Sequence, residues 1–211
     1  YRSDNLFRKG KRMNLTEIIC VLDRSGSMST VIDDAIGGFN TFLKEQQKIK
    51  DDKAKISVIF FDDQYEVFCK NKDIENMQEL NEETYVPRGM TALNDAIGKT
   101  IATFGEEFAK REDSDKPNNV IMVVQTDGFE NSSKEYTVEK VREMIKEQET
   151  QWNWKFIFLS SDLNAQSQGA NLGFGNVQQY ANTGVGTRNV YFSASNSVSD
   201  MRSQSSGKEN S

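Results

Sequence analysis

The feature that most restricts the fold of this chain is an alternation of short apolar runs with longer amphipathic stretches. Four runs of four to six residues are rich in β-branched and aromatic side chains, and each is too short for a buried helix: 18–22, 56–61, 120–124 and 156–159. Between them, apolar residues recur every three or four positions over 32–43, 92–108 and 138–145, which predicts helices with one buried face. Strands that alternate with helices favour a mostly parallel sheet covered on both faces.

Weaker patterns complete the predicted fold. Residues 65–69 follow a short polar turn after the second strand, so we expect a hairpin and one antiparallel neighbour in the sheet. The remaining predicted elements are a short helix and loop in 73–90, a helix in 165–172, a strand in 177–180 and a helix in 189–202. We therefore predict an α/β, doubly wound, Rossmann-like fold with a mostly parallel central sheet, one antiparallel edge strand and helices on both faces.

The domain organisation follows from length and local composition. A chain of 211 residues is typical of one domain. Residues 1–12 are polar and basic without a hydrophobic period, and we expect a flexible extension there. The domain is predicted over 13–202, and the Ser-rich residues 203–211 are predicted to form a disordered tail.

Composition excludes several classes of function. The chain has no histidine, which excludes a Ser-His-Asp triad, a Cys-His dyad and histidine-ligated zinc. Its two cysteines, Cys20 and Cys69, are too few for a zinc cluster or a disulfide framework. A net charge of −6 argues against binding to nucleic acid or to an anionic membrane. Because there is no apolar run of about 18 residues and no signal-like start, we expect a cytoplasmic protein. We also expect it to be monomeric.

Side chains with oxygen donors follow the predicted strands at three places. Asp23, Ser25 and Ser27 follow the first strand, Thr91 precedes the second long helix, and Asp127 follows the third buried strand. Because ligands of such sheets lie beyond the carboxyl ends of the strands, we expect these side chains to meet at one edge. Carboxylates and hydroxyls without sulfur or imidazole favour Mg²⁺, with Mn²⁺ or Ca²⁺ as alternatives. Taken alone, the two serines would equally suit the cap of a helix.

The ordered set of these residues resembles the metal-ion-dependent adhesion site of von Willebrand factor A domains. The run Asp-Arg-Ser-Gly-Ser-Met at 23–28, the segment 85–93 and the Thr-Asp-Gly turn at 126–128 are similar to small stand-alone bacterial and phage members. The resemblance extends over about 15–200. One departure is Met90, which stands where many members have glycine.

The resemblance implies a role for each motif position. It implies that Ser25 and Ser27 ligate a metal directly and that Asp23 and Asp127 act largely through water. Thr91 would alternate between direct and water-mediated contact when a partner binds. The family's order of strands would also place Cys20 and Cys69 on non-adjacent strands about 10 Å apart. That separation is beyond disulfide reach, so we expect unlinked thiols.

Four further carboxylates are predicted at the same edge and form a candidate partner-binding rim: Asp62, Asp63, Glu130 and Asp162. Each also has an ordinary alternative role. Asp62 and Asp63 would suit a tight turn, Glu130 a solvated position, and Asp162 a helix cap. An acidic rim would favour a partner that presents one carboxylate among basic residues.

Three hypotheses for the function follow. The first is a protein-binding module with no catalytic residues, which engages an Asp or Glu carboxylate of an unidentified protein partner through Mg²⁺. The second is a Mg²⁺-dependent phosphoesterase or hydrolase that uses Asp23 or Asp127. Three carboxylates that converge on two ions would favour this second hypothesis. The third is a structural or assembly protein with a vestigial metal site. We favour the first, because no convincing pair of nucleophile and general base is present.

Overall fold

The structure, a computed structural model, describes residues 14–160, 163–179 and 193–203. Its strands are β1 (Leu15–Asp23), β2 (Lys53–Phe61), β3 (Tyr65–Asp73), β4 (Asn119–Gln125), β5 (Lys155–Ser160) and β6 (Asn176–Gln179). They form one sheet in the order β3-β2-β1-β4-β5-β6. Every neighbouring pair is parallel except β2 and β3, which are antiparallel. The predicted mostly parallel sheet with one antiparallel edge strand is confirmed.

The helices within the described residues are α1 (Ile32–Lys48), α2 (Leu93–Lys110), α3 (Val138–Gln151), α4 (Leu163–Asn171) and α5 (193–203). A 3₁₀ helix at Gly26–Val31 precedes α1, and another at Ile74–Asn76 is the short helix predicted in 73–90. The predicted extension 1–12, the start of the last helix at 189–192 and residues 204–211 lie outside the described residues. Within the described ranges, no helix has both the length and the apolar character needed to cross a membrane.

Two apolar layers lie on opposite faces of the sheet. On one face, Phe42 of α1 and Val198 of α5 belong to the same buried cluster as Ile18 of β1. On the other face, Phe104 of α2 belongs to the cluster that contains Ile19 of β1. Successive residues of a strand point to opposite faces, so a strand covered on both sides needs an unbroken apolar run. This explains why β1 lacks the alternation of a half-exposed strand.

A buried ionic cluster connects α5 to the end of α1 and to the residue that precedes β2. Arg202 pairs with Asp52 through two guanidinium nitrogens, and the two side chains are 1% and 2% exposed. Arg202 also donates to the carbonyl oxygen and to Oε1 of Gln46, both at 3.0 Å. The hydroxyl of Thr16 donates to Asp52 Oδ2 at 2.8 Å. Each buried charge therefore has an opposite charge and neutral hydrogen-bond partners, as burial requires.

The two cysteines are free. Cys20 on β1 and Cys69 on β3 are both paired in register with Val58 on β2, which lies between them. The prediction that they stay unlinked is confirmed. Burial raises the pKa of both thiols, and it does so most at Cys20.

Candidate functional site

Three loops meet at the carboxyl end of the sheet and, together with the last residue of β1, carry the five predicted metal-site residues. The first loop follows β1, the second precedes α2 and the third follows β4. The N–H of Gly26 donates to the carbonyl of Gly89 at 3.1 Å, and the N–H of Arg88 donates to the carbonyl of Arg24 at 2.7 Å. Gly89 has a φ of 68°, a left-handed conformation that favours glycine. These bonds hold the first two loops against each other.

Asp23 is the last residue of β1 and is buried at the base of the site. Its Oδ1 accepts the N–H of Ser25 and its Oδ2 accepts the hydroxyl of Thr126, both at 2.6 Å. The phenol of Tyr85 donates to its carbonyl oxygen. Burial raises the pKa of Asp23; hydrogen bonds from Thr126 and Ser25 oppose this shift, and Asp127 adds to it. A cation beside Asp23 would favour the ionised carboxylate.

The hydroxyls of Ser25 and Ser27 lie within hydrogen-bond distance of each other. Their Oγ atoms lie 3.1 Å apart. Mg²⁺ takes octahedral oxygen ligands at about 2.0–2.1 Å, so two adjacent ligands lie about 3 Å from each other. The spacing of the two hydroxyls therefore matches that of neighbouring ligands around this ion.

Thr91 approaches from the second loop and is buried. Asn131 holds its backbone from both sides: Asn131 Oδ1 accepts the N–H of Thr91 at 2.9 Å, and the N–H of Asn131 donates to the Thr91 carbonyl at 3.0 Å. A Cβ built on Gly128 would lie 2.8 Å from Thr91 Oγ1 and 3.1 Å from Asp23 Oδ2. The glycine therefore leaves a space that a hydroxyl and a carboxylate border.

Asp127 lies in the third loop, between Thr126 and Gly128, and is half-buried. The hydroxyl of Ser160, the last residue of β5, donates to Asp127 Oδ1 at 3.4 Å. The carboxylate is thus placed at the same edge of the sheet by β4 and contacted by β5.

The donor set suits a hard divalent cation. Three hydroxyls come from Ser25, Ser27 and Thr91, and two carboxylates come from Asp23 and Asp127. No group of three or more acidic or cysteine side chains suited to a metal occurs in 14–160, 163–179 or 193–203. A cation at this edge would depend on hydroxyl oxygens rather than on a cage of carboxylates, and such oxygens fit Mg²⁺, Mn²⁺ or Ca²⁺.

The predicted acidic rim needs correction at Asp62, which is buried. Arg24 Nε and Arg88 Nε both donate to its Oδ2 at 2.9 Å, and the N–H of Gln64 donates to its Oδ1 at 2.6 Å. Burial raises the pKa of Asp62, but hydrogen bonds from Arg88, Gln64 and Arg24 outweigh that effect and lower it. Asp62 forms the turn, as its alternative role predicted, and supports the loops from beneath.

Glu130 also points inward. Its Oε1 accepts the N–H groups of Ser132 and Ser133, and its Oε2 accepts the N–H of Asn94 at 2.8 Å. Because the first N–H groups of a helix lack partners within the helix, this carboxylate caps α2. It is therefore neither on the rim nor simply solvated. Asp63 stays exposed, and Asp162 lies outside the described residues.

Two residues that the sequence analysis did not single out hold the loops in place. Arg24 is buried over the ring of Phe60 and pairs with Glu66 as well as Asp62. Gln168 of α4 accepts the N–H of Glu130 and donates to the carbonyl of Gly128. Arg24 lies 38 positions from its partner Asp62, and Gln168 lies 40 positions from its partner Gly128. Local sequence patterns do not reveal contacts over such separations. The one available signal was the position of Arg24 between two motif residues.

Residues 18–130 match the family model of the von Willebrand factor type A (VWA) domain. The match covers more than half of the 211 residues and contains the five candidate metal-site residues. The chain belongs to the von Willebrand factor type A family. A search of curated protein sequences gives no match.

Solved structures with this fold are distant in sequence. The PilB minor pilin of Streptococcus sanguinis is similar with a TM-score of 0.64 and 11% identity, over 90% of this chain and 62% of the pilin. The SpaC pilus adhesin of Lactobacillus rhamnosus GG has a TM-score of 0.62 and 12% identity, over 89% of this chain and 30% of the adhesin. BatB of Bacteroides thetaiotaomicron has a TM-score of 0.56 and 15% identity, over 88% of this chain and 98% of BatB. The VWA chain thus spans less than two thirds of the pilin, and the likeness shows a shared fold.

Proposed function

We propose that this VWA domain is a protein-binding module that engages an Asp or Glu carboxylate of its partner through a divalent cation, preferably Mg²⁺. Ser25, Ser27, Thr91, Asp23 and Asp127 would hold the cation. The observation that carries the proposal is the pair of serine hydroxyls 3.1 Å apart beside a buried carboxylate at the edge of the sheet. When bound, the cation would supply positive charge and a coordination position for an oxygen from outside.

The protein groups around this position support binding of an external anion. Both oxygens of Asp23 already accept hydrogen bonds from Ser25 and Thr126, which favours a role in orienting and charge balance over bidentate ligation. The hydroxyls of Ser25 and Ser27 add no negative charge. A carboxylate that arrives from a partner therefore meets less repulsion than it would in a cage of carboxylates.

The described residues favour binding over hydrolysis. Two-ion hydrolysis of phosphate esters uses ions about 3.5–4 Å apart, and carboxylates are the usual bridges between them. The site has Asp23 and Asp127, and no third acidic side chain joins them among the residues described. Asp62 and Glu130, the nearest candidates from the sequence, are committed to arginines and to a helix cap.

The names of two similar structures support the same class of function. One is a minor pilin and the other a pilus adhesin. Their identity to this chain is only 11% and 12%, so their own partners are not transferred. We take from them only that this fold serves in proteins named for assembly and adhesion.

Metal binding is tested by titrating the protein with MgCl₂ and MnCl₂ in a calorimeter. We expect one site in the wild type and its loss in Ser25→Ala, because that substitution removes one of the two adjacent hydroxyls. Ser29→Ala is the matched control: Ser29 lies in the same loop, and its hydroxyl donates to the carbonyl of Gly26 instead. Equal affinity in wild type and Ser25→Ala would contradict the proposal.

Partner binding is tested with a phage-displayed library of random dodecapeptides on the immobilised protein in Mg²⁺. We expect phage that EDTA elutes to be enriched in Asp or Glu, and not to be recovered on Ser25→Ala. A melting temperature that Mg²⁺ and Mn²⁺ leave unchanged would favour a structural protein with a vestigial site, since a ligand held only by the folded state stabilises that state.

A further inference from the structure

Exposed apolar side chains adjoin the candidate metal-site residues in the second and third loops. Met90, which precedes Thr91, is 52% exposed, and Phe129, which follows Gly128, is 50% exposed. Val86, in the same loop as Met90, is 53% exposed. Burial of large apolar side chains is the ordinary outcome of folding, so a group of exposed ones beside a binding site indicates a contact surface.

Two of the carboxylates predicted on the rim are instead engaged in contacts within the protein. Asp62 is buried beneath Arg24 and Arg88, and Glu130 caps α2. Asp63 alone among the predicted and described rim carboxylates stays exposed. The rim of the site is therefore less acidic than the sequence predicted.

Phe129 also forms one wall of a groove between α3 and α4. The groove has a volume of about 490 Å³, and its lining includes Leu172, Asn94, Arg142, Glu130 and Glu139. Asn94 is 5% exposed, and its Oδ1 is buried without a hydrogen-bond partner among the described residues. A buried amide oxygen without a partner is costly, so a donor from a bound molecule would relieve that cost.

We infer that the partner presents an extended segment in which the acidic residue is followed or preceded, within one or two positions, by an apolar residue. The apolar side chain packs on Phe129. The segment continues into the groove, where the Asn94 side chain rotates toward it and Asn94 Oδ1 accepts one of the segment's N–H groups. Extended chain advances about 3.3 Å per residue, and Phe129 is only two residues from Asp127. An apolar residue one or two positions from the metal-bound acid is therefore the one that we expect to reach Phe129. The inference rests on the proposed function, because the metal-bound acid fixes the register of the segment.

The test uses the peptides that EDTA elutes from the dodecapeptide library. We expect Leu, Ile, Met or Phe to be enriched one or two positions from the acidic residue. One selected peptide is then synthesised and titrated against variants of the full chain. Phe129→Ser is expected to weaken it about tenfold or more, since a buried aromatic contact is lost, and Asn94→Ala is expected to weaken it severalfold. The affinity for Mg²⁺ is expected to stay unchanged in Phe129→Ser.

Trp152→Ser is the matched control, because Trp152 is 60% exposed but follows α3 at the opposite end of the sheet. Acidic peptides with Lys or Arg at the neighbouring positions, or a Phe129→Ser variant that binds like the control, would overturn the inference and leave the proposed function standing. A selection without acidic, EDTA-eluted peptides would instead overturn both. Self-association of the chain through this face, seen as Mg²⁺-dependent dimers in which Phe129 is required, would replace the peptide segment with a second copy and also overturn the inference.

Discussion

Replacing Gly128 with alanine is the most direct test of the space between the three loops. The new Cβ would lie 2.8 Å from Thr91 Oγ1, 3.3 Å from Thr91 Cγ2 and 3.1 Å from Asp23 Oδ2. Non-bonded heavy atoms prefer separations of about 3.5 Å or more, so the threonine must move away from the site. Gly128 does not have a positive φ, and the backbone accepts alanine without strain. The effect is therefore confined to the side chains that border the space.

The size of the effect follows from two terms. Overpacking of this kind costs about 1–3 kcal/mol, which lowers the melting temperature of a domain of this size by about 2–12 °C without metal. In the wild type, Mg²⁺ at about 100 times its Kd stabilises the fold by about 2.7 kcal/mol, which raises the melting temperature by about 5–11 °C. We expect Gly128→Ala to lose most of this second increment, because Thr91 and Asp23 no longer face the cation in the same positions.

The assay is differential scanning calorimetry with MgCl₂ and with EDTA at constant ionic strength. Gly175→Ala is the control, because nothing lies within 4 Å of a Cβ at Gly175. This variant is expected to show the full Mg²⁺ increment of the wild type. The reasoning about the site is refuted if Gly128→Ala is destabilised in EDTA but gains as much from Mg²⁺ as the wild type does.

Three further predictions concern the scaffold. Arg202→Met leaves the buried Asp52 carboxylate without its counter-charge, so urea unfolding is expected to show a loss of about 3–5 kcal/mol; a loss below about 1 kcal/mol, the range of a surface ion pair, would contradict the role of this cluster. The pKa of Asp62 is lowered, so its ionised form contributes stability that is present above about pH 4 and is lost as the pH falls through its lower folded value. The free energy of unfolding of the wild type is therefore expected to fall more steeply below about pH 4 than that of Asp62→Asn. Parallel curves of unfolding free energy against pH would contradict this role of Asp62. Burial raises the pKa of Cys20, so a thiol reagent is expected to label it only after unfolding; rapid labelling of the native protein would show that β1 opens.

The order of elements could be predicted from the sequence because both faces of the sheet are covered. A strand such as β1 then needs an unbroken apolar run, and the helices need one apolar face, and both patterns are local. The first and last residues of each element were harder to predict from the sequence. β1 begins at Leu15 and includes Thr16 and Glu17, two polar residues that are fully buried. They are tolerated because Asp52 and Arg111 contact them from far along the chain, which no local pattern reveals.

The same distinction separates the candidate ligands from the rim. Asp23 is the last residue of β1 and Asp127 follows β4, its parallel neighbour, so the topology alone brings both carboxylates to one edge. The direction in which a carboxylate beside that edge points depends instead on which cationic side chains or N–H groups the fold places next to it. Asp62 turns inward because Arg24 and Arg88 approach it from 38 and 26 positions away.

A sequence therefore predicts where a site lies more readily than what its surroundings offer a partner. The position of the site depends on strand order, which a few apolar runs determine. The character of the rim depends on long-range pairings that remove charges from the surface and leave side chains such as Met90 and Phe129 exposed. If these two side chains and not the exposed Asp63 determine partner selection, two VWA domains with the same five metal-site residues will prefer different residues beside the same acidic contact. Replacing Met90 and Phe129 with polar residues will then change which peptides are selected, while the affinity for Mg²⁺ stays the same.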